Sequence, residues 1–555
     1  MTHDNTGSDR QPGGDPTPHL GSNDPETGFL TGTITIADAE RLKSRPGAVF
    51  WISIALIAAF VAWAMISPDS LGGSMTAAMN WAAQSIGWSY LVVTLGCILL
   101  LVYLAMSRFG GIRLGTNEDR PEFSTWAWLA MILSAVMGIG LISYGVAEPI
   151  SHFVTPPHGL ADPETMDAAV LAMQFSYFDW GPNAWAVFGV FGLAIAYSTH
   201  RRHNTGLISP MLRPVFGKAV DGPLGKIIDI FAIIATLFGT TTSLGLGASQ
   251  ISEGLSRVFG VPSTLITQII IIAVITAMFT LSALSGVHRG IKWLSQITTV
   301  LSIGLGLFVL IVGPTDFVSN LFFRSVGQFV SQFFQVALIT PSTPDDVAWM
   351  QWWTYFMMAW WLSWGGFVGV FLAKISKGRT IRGFVAGVMG VPSLVFFIWF
   401  TIMGGSAIKF DMDGANIGAV AAEDVNTAFF ALLGELPLTT ITSVVAIILV
   451  VLYFVSGADA NTFVLSMLSS RGTFDPTKPV LTVWGVLTGI SAIALLIVGG
   501  LSALQQAAML SALPFTVIVA LLGYSLVKEL QRDHRFDSTH VVTRGELEQA
   551  IEQEK

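Results

Sequence analysis

The sequence predicts an all-α integral membrane protein of about twelve transmembrane helices. Three observations predict this class. Charged residues make up only 12% of the 555 and apolar residues 52%, about half the charge that a soluble protein carries. The apolar residues gather into runs of roughly twenty, the length that crosses a hydrocarbon core as a helix. Lys and Arg are concentrated in alternate connections between these runs.

The chain begins with a polar stretch, residues 1–45, rich in Gly, Pro, Asp and Thr. Such a composition cannot bury a core, so a disordered cytoplasmic tail is expected, with no cleavable signal. Residues 46–527 form the transmembrane domain. Its spans are expected near 49–67, 88–107, 126–147, 180–199, 227–251, 263–285, 293–313, 352–373, 383–404, 438–469, 479–499 and 502–527. Gly457 suggests a local irregularity inside the long tenth run. The segment 148–179 reads as an acidic external connection. In 314–351, Phe322, Phe323, Phe329, Phe333 and Phe334 are spaced as on a helix lying in the membrane interface. Residues 528–555 form a C-terminal tail with five basic and seven acidic residues, which is not a polybasic lipid-binding segment.

Of the 28 Lys and Arg residues, 25 fall on one face and only Arg257, Arg324 and Lys409 on the other. By the positive-inside rule both termini are cytoplasmic, in a multi-pass protein of the inner (plasma) membrane. The excess acidic charge and the lack of a basic cluster exclude a nucleic-acid partner. The single Cys97 cannot pair within one chain. No metal-spaced His or Cys motif, phosphate-cradling loop or nucleophile elbow occurs, so no enzyme is expected. The nine His residues are placed in loops and tails.

Three runs carry residues with chemical potential. The third contains Met137-Gly138-Ile139-Gly140, followed by Tyr144-Gly145 and Glu148-Pro149. Glycines here serve either close helix packing or a broken helix whose freed backbone groups line a cavity. The eighth holds Trp352, Trp353, Trp360, Trp361 and Trp364, then Gly365-Gly366. Trp352 and Trp353 fit an interfacial belt. The deeper three suit either aromatic packing or a quaternary ammonium held by cation–π attraction. The fourth adds Trp180, expected at the external interface, with Trp185 and Phe188 three apart on one face. Oxygen ligands for a hard cation are offered by Thr236, Thr240 and Ser456, though such hydroxyls often bond only their own helix. Asp459 is an intramembrane carboxylate, or a cap for the helix after Gly457.

The stretch Ala359-Trp360-Trp361-Leu362-Ser363-Trp364, continuing through Phe367-Val368-Gly369 to Lys374-Ile375-Ser376-Lys377-Gly378-Arg379-Thr380-Ile381-Arg382, resembles the signature of the betaine/choline/carnitine transporter family. Met137 to Gly140, Trp180-Gly181 with Ala184-Trp185, and Thr242 to Gly247 fit it in the same order. The resemblance implies a LeuT-like core of two five-helix inverted repeats after two extra N-terminal helices, and a homotrimer. It places a zwitterionic solute between the broken third span, Met137, Gly138, Ile139 and Gly140, and the eighth. Trp360, Trp361 and Trp364 would enclose its trimethylammonium group, with Trp180, Trp185 and Phe188 forming an external aromatic passage.

The departures from the family pattern shape the expected cargo. Val136 stands where betaine carriers have Gly, Gly140 where choline carriers have Asp, and Phe188 where relatives often have Tyr. Gly365-Gly366 replaces a Ser-Pro pair. Glycine betaine, ectoine or proline is therefore expected ahead of choline or carnitine. The resemblance implies sodium as coupling ion and no other cofactor. One sodium site would use Ala135, Met137, Tyr453 and Ser456, where Gly457 lacks a hydroxyl; a second would use Thr236, Thr240 and Phe367. Proton coupling or exchange is the alternative. A channel or osmosensor is the alternative class, but neither a ring of charge nor a filter motif is visible.

Overall fold

The computed structural model describes residues 46–136, 138–285 and 288–537. The expected N-terminal tail, the tail beyond Asp537 and Met137 lie outside the described residues. Among these residues the chain is helical and contains no β-strand; Arg113 and Thr380 form an isolated bridge.

The principal helices are α1 (Ala48–Ile66), α2 (Pro68–Ser85), α3 (Trp88–Met106), α4 (Thr125–Val136), α5 (Ile139–Val154), α6 (Met166–Trp180), α7 (Pro182–Ala196) and α8 (Pro223–Phe259). They continue as α9 (Leu265–Ser285), α10 (His288–Val312), α11 (Thr315–Ala337), α12 (Pro344–Trp352), α13 (Thr354–Ile375), α14 (Val391–Phe410), α15 (Thr439–Ser469) and α16 (Lys478–Asp537). Their ends follow local chemistry. Pro223 opens α8, where its missing N–H costs nothing, and Gly260 closes it in the left-handed region at φ 68°. Thr343 and Asp346 form a capping box on α12.

Eight helical segments among the described residues are long and apolar enough to cross a membrane. A ninth is counted if Gln296–Val312 and Thr315–Ala337, bent by 108°, make one broken span. This is the all-helical membrane architecture that the composition predicts. The bend also sets α11 nearly perpendicular to the helix before it. Phe329 is buried on its inner face, Phe322 and Phe333 are packed against the core, and Phe323 and Phe334 are exposed. The expected spans 479–499 and 502–527 both lie within α16, interrupted by non-helical backbone at Gly499 and Gly500. Its last turns extend through 528–537, where a tail is expected from sequence.

Position in the bundle follows the apolar surface. Only 22% of the apolar windows of α1 and α9 is buried, against 89% in the segment containing α12 and α13 and 83% in α8. The outer helices therefore turn apolar faces outward, as lipid-facing helices do. The inner pair forms the framework: α13 packs most extensively on α7, and α8 on α15 and α16.

Segment 148–179, expected to be an acidic connection but not a simple loop, ends α5 and contains α6, in which every residue from Ala168 to Trp180 is buried. The 15-residue length of α6 falls short of a span signal. Three other expectations are corrected. The helix α15 continues through Gly457, and Asp459 accepts a hydrogen bond from Ser282 at 2.8 Å. His152 is buried within α5. Trp353 packs inward on His152, with ring centroids 4.8 Å apart.

Candidate binding cavity

Three interruptions of helix place the aromatic residues. The third expected span is split, with α4 ending at Val136 and α5 restarting at Ile139. Gly138 between them is extended, at φ −115° and ψ −163°. The chain breaks again between α6 and α7 at Gly181-Pro182, which turns Trp180 inward. Trp353 separates α12 from α13 with φ −118° and ψ −95°. At such breaks backbone groups lose their intrahelical partners and become available to a ligand.

These elements meet around a cavity with about 350 Å³ of empty space. It is lined by Gly138, Gly140, Leu141, Trp180, Ala184, Trp185, Phe188, Trp360, Trp361, Trp364 and Phe396. Eight of the ten residues expected from sequence thus line one space; Met137 lies outside the described residues, and Ile139 opens α5 after the break. Trp180 is buried at the cavity rather than standing at an external interface. Leu141 and Phe396 have no distinguishing sequence signal, being ordinary apolar residues within apolar runs, whereas Ala184 belongs to the Ala184-Trp185 pair of the family motif.

Ring geometry shapes the walls. Trp360 and Trp361 are stacked, with centroids 5.3 Å apart and planes at 14°. Trp364 meets Trp360 edge-on at 5.9 Å, and Trp180 meets Trp361 at 4.9 Å and 73°. Phe188 approaches Trp361 at 5.9 Å. Phe356 stacks behind Trp360 at 5.3 Å, and Phe400 approaches Trp180 at 5.2 Å.

Hydrogen bonds hold the indoles. Trp360 Nε1 donates to the Gly239 carbonyl at 3.2 Å, Trp361 Nε1 to the Asp179 carbonyl at 2.7 Å, and Trp180 Nε1 to Glu148 Oε2 at 2.6 Å. Trp364 Nε1 is buried without a partner. A pocket of fixed π-faces with a donor to spare suits a ligand that is cationic at one end and an acceptor at the other.

The expected cation ligands divide into two groups. Thr236 and Thr240 are buried one turn apart on α8. Thr240 Oγ1 donates to the Thr236 carbonyl at 3.0 Å, whereas Thr236 Oγ1 has no partner. It faces α13, 3.7 Å from where a Cβ on Gly366 would stand, one residue before the buried Phe367. In the other group, Ser456 Oγ donates to the Tyr453 carbonyl at 3.1 Å, and the Tyr453 hydroxyl pairs with Ser302 Oγ at 2.7 Å. Ala135 lies on α4, a helix in contact with α15.

A family model described as the betaine/carnitine/choline family transporter matches residues 48–535. The chain is similar to the glycine betaine transporter OpuD of Bacillus subtilis, at 44% identity over 490 residues, covering 88% of this chain and 95% of that protein. It is 38% identical to the betaine/ectoine transporter LcoP of Corynebacterium glutamicum, over 89% of this chain and 80% of that protein. It is also 38% identical to an ectoine/hydroxyectoine transporter of Virgibacillus pantothenticus, over 88% of this chain and 97% of that one.

Proposed function

The chain belongs to the betaine/carnitine/choline transporter family, and from this premise we propose that it imports a small zwitterionic compatible solute, of the glycine betaine or ectoine class, by sodium symport. The observation that carries this reading is the cavity walled by Trp180, Trp185, Trp360, Trp361 and Trp364. A quaternary ammonium cannot donate hydrogen bonds, so ring faces are its natural receptor, each worth ~0.5–2 kcal/mol. The unpartnered Trp364 Nε1 serves the solute carboxylate, together with backbone N–H groups at the Gly138 break. The relatives named for betaine and ectoine support this substrate class.

In this proposal the twelve spans form two five-helix inverted repeats after two N-terminal helices. Both termini are cytoplasmic, and the protein is a plasma-membrane homotrimer. Thr236, Thr240 and Phe367 hold one sodium ion; Ala135, Met137, Tyr453 and Ser456 hold a second. The unsatisfied Thr236 hydroxyl, facing α13, supports the first site. A hydroxyl that donates to a carbonyl, as Thr240 and Ser456 do, still has lone pairs for a cation.

Substitution of Trp364 tests the two-ended recognition. Trp364→Phe keeps a ring face and removes the N–H. Intrinsic fluorescence titration of the purified protein is expected to show glycine betaine affinity falling by about tenfold, roughly the worth of one hydrogen bond to a charged group. Affinity for choline, which has no carboxylate, is expected to change little. Equal losses for both ligands would contradict the assignment.

A further inference from the structure

Behind the cavity wall, three titratable side chains are buried together. Glu148 and His152 are four residues apart on α5 and share a face; Asp179 is the penultimate residue of α6. All three are buried at 0% exposure. One ligand atom from each lies within 4.8 Å of those from the other two, and His152 Nε2 stands 3.6 Å from Glu148 Oε1.

Each carboxylate has one oxygen engaged and one free. Trp180 Nε1 donates to Glu148 Oε2 at 2.6 Å, and Thr354 Oγ1 donates to Asp179 Oδ2 at 3.4 Å. Glu148 Oε1, Asp179 Oδ1 and both ring nitrogens of His152 have no hydrogen-bond partner. Among the described residues neither carboxylate is paired with a Lys or Arg. The two carboxyl groups also stand within hydrogen-bonding reach of each other. Without a counter-charge such a dry pair needs a shared proton or a cation between them, and buried acceptors with no donor are costly.

One divalent cation removes both deficits. Two carboxylates and a neutral imidazole make an uncharged set around it. The split between engaged and free oxygens is the pattern of a metal site whose ligands are oriented by outer hydrogen bonds. An imidazole ligand disfavours calcium and magnesium, which take oxygen, and suits zinc and its neighbours. Three N/O ligands leave a fourth position for water.

We propose that Glu148, His152 and Asp179 bind one divalent transition-metal ion of the zinc class. The ion ties α5 to α6 directly behind the aromatic wall. Glu148 also holds the Trp180 indole, and the Asp179 carbonyl holds that of Trp361, so the bound metal fixes two faces of the cavity without touching the solute. Metal binding can be read directly, whatever solute the cavity carries.

The test uses the full chain in detergent, stripped with chelator and titrated calorimetrically at fixed pH with zinc, calcium or sodium chloride. Bound zinc is then counted by atomic emission after gel filtration. One zinc per chain and no heat from calcium are expected; sodium, bound elsewhere under the proposed symport, is expected not to compete with zinc. His152→Gln and Asp179→Asn are each expected to weaken zinc binding by about tenfold or more, while His203→Gln, at an exposed loop position, leaves it unchanged. Should a variant fail to fold, X-ray absorption of the zinc-loaded native protein decides. One imidazole with oxygen ligands at about 2.0–2.2 Å supports the site. Absence of stoichiometric zinc, undiminished binding by His152→Gln, or a shell without imidazole overturns it; a triad that takes up only protons gives the first of these results.

Discussion

Gly140 sets how closely α5 approaches the aromatic wall. A Cβ there would stand 2.4 Å from Trp180 Cη2 and 3.6 Å from Trp360 Cη2. Gly140→Ala therefore drives the Trp180 indole toward the cavity and strains its bond to Glu148. Solute affinity is expected to fall by about tenfold or more, within the range that overpacking a tight core costs. Elution and helicity should stay unchanged, because α5 itself accepts alanine; binding by fluorescence titration checks this. Thr236 carries the second residue-scale prediction. If its free hydroxyl is a sodium ligand, Thr236→Ala raises the sodium concentration for half-maximal uptake by about tenfold, roughly one charged hydrogen bond's worth. Thr236→Ser restores it. A sodium dependence unchanged by Thr236→Ala would remove this residue from the coupling site.

At the scale of elements, the connection 107–124 clamps the exit of α13. Leu114 N donates to the Arg379 carbonyl at 2.8 Å, and Gly378 N to the Leu114 carbonyl at 2.7 Å. The Arg379 guanidinium lies 3.9 Å from the Trp128 ring centroid and donates to the Phe123 carbonyl at 3.0 Å. Trp128 in turn donates to Ser376 Oγ at 3.0 Å. This ties α4, which leads into the Gly138 break, to the helix bearing the cavity tryptophans. Arg379→Ala is expected to destabilise the protein by ~1–3 kcal/mol, seen as a lower midpoint of thermal unfolding in detergent. Arg379→Lys should recover little, because an ammonium lacks the planar face that stacks on indole. The same elements show what the sequence makes legible. The tryptophans of α13 are a local feature, a dense aromatic run that can be read directly. The glycine motif leaves close packing and a broken helix open, and only the family resemblance implies the break at Gly138. Helix α6 was not readable, because its 15 residues are too few for a span and follow an acidic stretch. Phe396 and the Glu148–His152–Asp179 cluster escaped for another reason: their meaning lies in contacts between distant segments, which no spacing within one segment encodes.

For the whole molecule, the gradient of burial from α1 and α9 at the periphery to α13 at the centre puts the cavity deep inside the bundle. Apart from the partly buried Trp364, its aromatic walls are almost inaccessible, so a solute that reaches the ring faces of Trp180, Trp360 and Trp361 enters only if the surrounding helices move. The breaks at Gly138, Gly181 and Trp353 place the interrupted backbone beside the cavity. Such an arrangement suits alternating access about a central site; in the proposed symport the sodium gradient would supply the driving force. The most direct measurement is uptake of radiolabelled glycine betaine into proteoliposomes, with and without an inward sodium gradient at fixed pH. The account predicts concentrative uptake only when the gradient is present, and its loss with Trp364→Leu. Equally strong uptake without sodium would contradict the coupling, and uptake undisturbed by Trp364→Leu would contradict the placement of the solute.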